Sequence, residues 1–221
     1  MTGRAYPLRR MVMGVLMATV AGGVSAQTVP ECEHEAEVKE RFLPVSLLTG
    51  TPAPPDDALR MDPVQRRYPF VATVEGGGAP RMQETTLEGP VEYRTAYGPT
   101  VQAYRRTVPD AREVVAITFE GEAMGRVEDS RIGAMREAKF PIGRWKQGET
   151  RTFTVTYYTP RGTFENRTSI TIEKLSCRYE GTAGAVQFRW KVEDGRRGDY
   201  RYVFAPGRGL VMVHVFKRAG S

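Results

Sequence analysis

Chemistry needs side chains that move protons, hold metals or attack bonds, and this chain is sparing with them. It has 2 histidines, His34 and His214, far apart in the sequence. Neither belongs to an HExxH pattern or a close Cys/His grouping, whereas a zinc site needs three or four nitrogen, sulfur or carboxylate ligands. His214 stands in an apolar stretch. Its plain reading is a strand residue with one hydrogen-bond partner; its functional reading is a general base. Carboxylates gather at Glu120, Glu122, Glu128 and Asp129. Their spacing lacks the Asp-x-Asp-x-Asp-Gly regularity of a calcium loop, so a solvated loop is expected.

The remaining short motifs carry little. No GxSxG is present to form a nucleophile elbow. A Ser-His-Asp triad is defined by geometry and leaves no fixed trace in sequence. Gly76-Gly77-Gly78 is not followed by the Lys-Ser/Thr of a phosphate loop and reads as a hairpin turn. Arg197-Gly198-Asp199 spells an adhesion tripeptide, in a turn where Gly and Asp are favoured for backbone reasons. Asn166-Arg167-Thr168 is a glycosylation sequon, meaningful only in a eukaryotic source. No catalytic residue is identified, and neither a metal nor a cofactor is expected.

The N-terminus is more informative. Arg4, Arg9 and Arg10 precede an uncharged, mostly apolar stretch from Met11 to Val24, and Val24-Ser25-Ala26 ends it with small residues. These are the three parts of a cleavable signal peptide, cut after Ala26. The apolar stretch is about 14 residues, against about 20 for a membrane-spanning helix. Removing 26 of the 221 residues leaves 195, enough for one domain with an extension. The leader also takes 3 of the 32 basic residues and no acid, so the net charge falls from +6 to +3. With basic and acidic residues interspersed, the electrostatic footprint of nucleic-acid binding is missing.

Export changes the meaning of the cysteines. Cys32 and Cys177 are the 2 in the chain, and an even pair in an oxidising compartment suggests a disulfide. Closing so long a loop is worth on the order of 4–5 kcal/mol in the chain-entropy model. The absence of CxxC argues against a thioredoxin-like site.

What would position any site is a set of strands. Residues 51–66 hold Pro52, Pro54, Pro55 and Pro63 and read as a loop. Beyond them, apolar residues alternate with polar ones. Phe153, Val155 and Tyr157 oppose Thr152, Thr154 and Thr156; Val186, Phe188, Trp190 and Val192 oppose Gln187, Arg189, Lys191 and Glu193. Alternation with period two marks half-buried strands. Residues 163–175 read as another strand with Ile170 and Ile172 in phase, and Leu175 out of phase suggests a bulge. Further strands are expected at 69–74, 91–97, 100–106, 113–119, around Tyr200, Tyr202 and Phe204, and at 210–216. Short helices are expected at 35–42 and, weakened by Gly133, at 129–139.

The segment Tyr202-Val203-Phe204-Ala205-Pro206-Gly207-Arg208-Gly209-Leu210-Val211 resembles a signature of uncharacterised exported bacterial β-domain families. Their last hairpin reads Tyr-x-x-Ala-Pro-Gly-x-Gly-Leu-Val, with other aromatics allowed first. Phe140-Pro141-Ile142, with Gly148 before Phe153, is similar to their Phe-Pro-Leu entry. The resemblance spans roughly residues 138–216, about 40% of the mature chain. It implies a periplasmic or envelope β domain and brings no catalytic residues. Independently of it, Pro206 and Gly207 suit a type II turn and Gly209 a bulge or tight return.

The expected fold is mainly β: a curved antiparallel sheet of about nine or ten strands, as a half-open barrel or sandwich, with one or two short helices. The expected divisions are a signal peptide at 1–26, an extension with its proline-rich loop at 27–66, and the β domain at 67–221. The function expected is binding of a small hydrophobic ligand or an envelope protein on a concave face. The partners expected exclude nucleic acid, and the chain is not expected to be an integral membrane protein. The alternative is an envelope hydrolase whose site is not readable in sequence.

Overall fold

A computed structural model describes residues 31–35, 37–53, 60–94, 100–108, 113–120, 123–129, 133–193 and 198–216, and over 113–139 the backbone alone. The leader at 1–26 and residues 54–59 of the proline-rich loop lie outside the described residues. The elements, in order, are β1 (Glu33–His34), β2 (Glu40–Leu43), α1 (Val45–Thr49), β3 (Val64–Val74), β4 (Arg81–Arg94), β5 (Thr100–Val108) and β6 (Glu113–Glu120). They continue with β7 (Ala123–Asp129), β8 (Gly133–Lys139), β9 (Gly143–Lys146), β10 (Thr150–Thr159), β11 (Gly162–Tyr179), β12 (Thr182–Val192), β13 (Asp199–Ala205) and β14 (Gly209–Val215).

The chain is mainly β, and the sheet is curved as the alternation implied. Its strands run β10-β8-β7-β6-β5-β4-β3-β14-β13-β12, and β11 pairs with both β10 and β12. β11 changes partner along its length: residues 162–171 bond β10 and residues 168–179 bond β12. The junction of β8 with β10 has only 3 register pairs, Thr156 with Arg136, Tyr157 with Met135 and Tyr158 with Ala134. The product is a curled sheet rather than a barrel with an even ladder all round. β2 and β9 form a separate two-stranded ribbon.

Three details differ from the sequence reading. The sheet is mixed, because β14 runs parallel to β3 with Met212 opposite Val71. Eleven strands, β3–β8 and β10–β14, alternate direction along the order, and an odd number leaves the first and last pointing the same way. Second, residues 35–42 are not helical. The Glu35 carboxylate accepts bonds from Ser176 Oγ and the Gly184 amide, each at 2.9 Å. Arg41 donates to the Leu175 and Gly184 carbonyls at 2.9 and 2.8 Å, and β2 pairs with β9. These tertiary bonds override a weak local propensity. Third, residues 133–139 form β8, since Gly133 resists helix and neighbouring strands supply backbone partners. The expected bulge near Leu175 is present, with register shifts between Ile172 and Cys177.

The single described helix, α1, begins three residues beyond the end of the expected 35–42 helix and is five residues long. So short a helix is marginal alone and depends on packing. All of its residues are buried, and Gly50 ends it at φ 71°. A Cβ on Gly50 would stand 2.7 Å from backbone atoms of Arg208 and Gly209. One on Gly209, itself at φ 73°, would stand 3.2 Å from the Leu48 carbonyl. The last hairpin and the helix terminus thus meet backbone to backbone, which only glycine allows. Arg66 bonds the Gly50 carbonyl and, at 2.9 Å, the Gly207 carbonyl, fastening the two together.

Candidate functional site

Phase along each strand decides which side chains line the concave face. Strands β12 and β13 send Val186, Phe188 and Trp190 and Tyr200, Tyr202 and Phe204 inward. Their rings form a ladder, with Phe188 stacked on Tyr202 and Phe204 at 5.3 and 5.8 Å. Against this ladder pack Leu47 and Leu48 of α1 and Phe140, Ile142 and Trp145. That part of the concavity is filled by the chain itself. A void with room for about one water molecule persists between Leu48, Thr49, Tyr68, Leu87, Tyr104, Arg106, Phe140 and Phe204. Tyr104 donates to the Asp62 carbonyl at 2.7 Å, and burial pushes its phenol pKa well up.

The wall of β10 and β11 is different. Val155 and Tyr157 form a cluster of their own, with Phe153 and Phe164 half-buried beside them. Tyr157 stacks on Phe164 at 5.0 Å, the two rings 5° from parallel. Between them and the main core, on the same face as Ile170 and Ile172, come Asn166 and Thr168. Asn166 lies opposite Val155, and Thr168 opposite both Phe153 and Val192. Asn166 is 9% exposed and Thr168 fully buried. Among the described residues, neither the Asn166 amide nitrogen nor the Thr168 hydroxyl has a hydrogen-bond partner. The charged residue on this face of β10 is Arg151, opposite Ile170; it pairs with Glu149 at 2.7 Å and lies over the Trp145 ring. As a sequon the triplet is therefore misplaced: Asn166 faces the interior, where no glycan could be attached. Its signal in sequence was two polar residues in phase with Ile170 and Ile172.

The opposite face is polar and satisfied. Arg189 holds Asp199 through two bonds of 2.7 and 2.5 Å. Arg201 holds Glu173 at 2.5 and 3.1 Å, and Gln187 joins that carboxylate at 2.8 Å. Both guanidinium groups lie over the Phe216 ring, at 4.3 and 5.1 Å from its centre. His214 Nδ1 is 2.7 Å from Thr73 Oγ1 and packs edge-on against Phe216. Burial, and then the Arg201 charge, lower the His214 pKa. Among the described residues, no serine or carboxylate is hydrogen-bonded to this ring. His34 is exposed on β1 opposite Cys177, with β11, β12 and β13 between it and His214 on β14, so the histidines are not brought together.

Beyond this network the same face carries a second apolar cluster that includes Cys32, Cys177, Val203, Ala205 and Met212. Cys32 and Cys177 stand at disulfide distance, their Cα atoms 5.4 Å apart. Lys174 bonds the Cys32 carbonyl, and Arg178 pairs with Glu35 at 3.4 Å. Bonds from the Gly184 amide and Ser176, then the charges of Arg178 and Arg41, lower the Glu35 pKa. Tyr179, fully buried here, has no partner for its hydroxyl, and desolvation pushes its pKa up to about 12.

The other sequence candidates are scattered. Glu120 lies on β6, and Glu128 and Asp129 on β7, where side chains are not described; Glu122 and Arg197 lie outside the described residues. Asp199 of the adhesion tripeptide is engaged by Arg189. Among the described residues, no group of three His, Cys, Asp or Glu could hold a metal ion. Pro206 and Gly207 occupy the turn closed by the Arg208 amide on the Ala205 carbonyl at 3.0 Å, with Gly207 at φ 67°. Among the described residues no helix is long and apolar enough to cross a membrane. No family model matches the chain, and no curated protein and no solved structure does either.

Proposed function

We propose that this is an exported, non-catalytic β domain that binds an apolar ligand on the concave face of its curled sheet. The observation that carries the reading is the β10–β11 wall. The inner face extends beyond the part that α1 and the Phe140–Trp145 segment fill, and there buried Val155 and Tyr157, with half-buried Phe153 and Phe164, form an apolar cluster separate from the main core. Binding sites are concave and mostly apolar, with a few placed polar groups. The opposite face carries a satisfied salt-bridge network instead.

Residues 1–26 direct export and are removed after Ala26, and the protein works in the periplasm or outside the cell. The spacing of Cys32 and Cys177 supports this, since disulfides persist in oxidising compartments. The likeness of residues 138–216 to exported β-domain families supports it further.

The test is native mass spectrometry of the full chain purified after export from its host. A bound lipid or other apolar small molecule, released when the protein unfolds, is expected. A homogeneous, ligand-free mass that also fails to bind a fluorescent acyl probe would overturn the reading.

A further inference from the structure

We propose that Asn166 and Thr168 form the polar contact of this site and select an acyl compound with an uncharged acceptor, the carbonyl of an ester or amide. The proposal rests on the concave-face reading above.

The argument starts from the cost of leaving polar groups alone. A buried donor without a partner costs about 1–3 kcal/mol, and nearly all such groups in native proteins are paired. Here two occur two residues apart on one strand and on one face, with neither the Asn166 Nδ2 nor the Thr168 Oγ1 bonded. Both point to the side on which Val155, Tyr157 and Phe164 form the apolar wall.

The chemistry of the two atoms restricts the ligand. Nδ2 of asparagine is only a donor, and a threonine hydroxyl can donate as well. Together they suit an acceptor with two lone pairs, such as a carbonyl oxygen. A carboxylate fits poorly, because the inward cation of β10, Arg151, is already paired with Glu149 at 2.7 Å and lies over the Trp145 ring, and an unpaired buried charge is costly. The stacked Tyr157 and Phe164 then flank the hydrocarbon part. The β8–β10 junction, which includes Tyr157, adjoins this wall and is the shortest ladder beside it.

The experiment uses the full mature chain, freed of lipid, and three probes: monopalmitoylglycerol, its ether analogue hexadecylglycerol, and palmitate. Binding is read by calorimetry for the native chain and for Thr168→Val and Asn166→Leu. The ester is expected to bind about tenfold more tightly than the ether, as one well-made hydrogen bond allows. Thr168→Val is expected to abolish that preference by weakening ester binding. In the absence of ligand it should raise Tm by about 2–10 °C, because it removes an unpaired buried hydroxyl. Asn166→Leu repeats the test should valine fail to fold. Equal binding of ester and ether by the native chain, tightest binding of palmitate, or a lowered Tm in Thr168→Val overturns the carbonyl assignment and leaves concave-face binding standing. Failure of all three probes overturns both.

Discussion

Removing the Cys32–Cys177 link is the sharpest perturbation the fold offers. The two residues are 145 apart in sequence. Cross-linking so long a loop removes unfolded-state entropy worth about 5 kcal/mol at room temperature. The native side of the balance reduces this figure. The strap around Cys32 keeps other anchors, namely the Lys174 bond to its carbonyl and the Glu35 bonds to Ser176 and Gly184. These order the same segment after reduction, and the reduced unfolded chain retains some compactness. A loss of about 3–5 kcal/mol is expected, or about 6–20 °C in Tm for a chain of this size. The assay is urea and thermal unfolding of oxidised protein against the Cys32→Ala/Cys177→Ala double variant, with thiol titration of the unfolded native chain. Alanine fits the apolar surroundings of both sites, so the comparison isolates the cross-link. Free thiols in exported protein, or a Tm difference under about 2 °C, would refute the reasoning.

Other outcomes follow from single side chains. Glu35 has its pKa lowered in the fold, so its contribution is present above the unfolded carboxylate value and is lost as pH falls through the folded one. Glu35→Gln should therefore weaken the protein at neutral pH and flatten its acid unfolding limb, read by urea midpoints across pH. His214 is also lowered, so its neutral form is favoured; stability should rise with pH through the window just below the ordinary histidine value. NMR titration should place the His214 pKa lower in the folded protein than in the unfolded chain. Gly209→Ala should cost at least about 1–2 kcal/mol from backbone strain alone, and more from contact with the Leu48 carbonyl; a urea midpoint equal to wild type would contradict the backbone contact. Tyr179→Phe removes an unpaired buried hydroxyl and should leave stability equal or higher in the same assay.

How much of this was legible depended on the scale of the controlling interaction. Alternation in residues 151–157 and 185–193 is a local signal, and β10 and β12 follow it with the expected residues facing in. Leu175 falling out of phase was enough to indicate the bulge. Residues 81–90 of β4 were not recognised, because Met82 and Leu87 are the large apolar residues among them and glycine and proline at 89 and 90 weaken a strand pattern. There the chain keeps its place by a register shift between Glu88 and Val91. The helix at 35–42 failed because bonds from Glu35 and Arg41 to residues some 140 positions away decide that segment. The parallel pairing of β3 with β14 was hidden for a similar reason: it follows from the total number of strands. As to the site, Asn166 and Thr168 were visible only as a sequon, although their phase with Ile170 placed them inside.

The two faces of strands β11 to β13 now argue against each other in a useful way. On the outer face every charged group named above has found a partner, and the His214 ring is bonded to threonine rather than to a nucleophile or a carboxylate. Such a surface stabilises and orders strands; the unbonded group named on it, the Tyr179 hydroxyl, is fully buried in the cluster beside the cysteines. On the inner face the balance is reversed. The side chains are apolar and largely buried, yet two polar groups are left unbonded where packing alone would have favoured valine and leucine. Stability cannot account for keeping them, because each one costs the folded state free energy. A sheet that satisfies its exposed polar groups and leaves its enclosed ones open has its vacant chemistry inside. That asymmetry, more than any motif, is why binding within the curled sheet is preferred here to catalysis upon it.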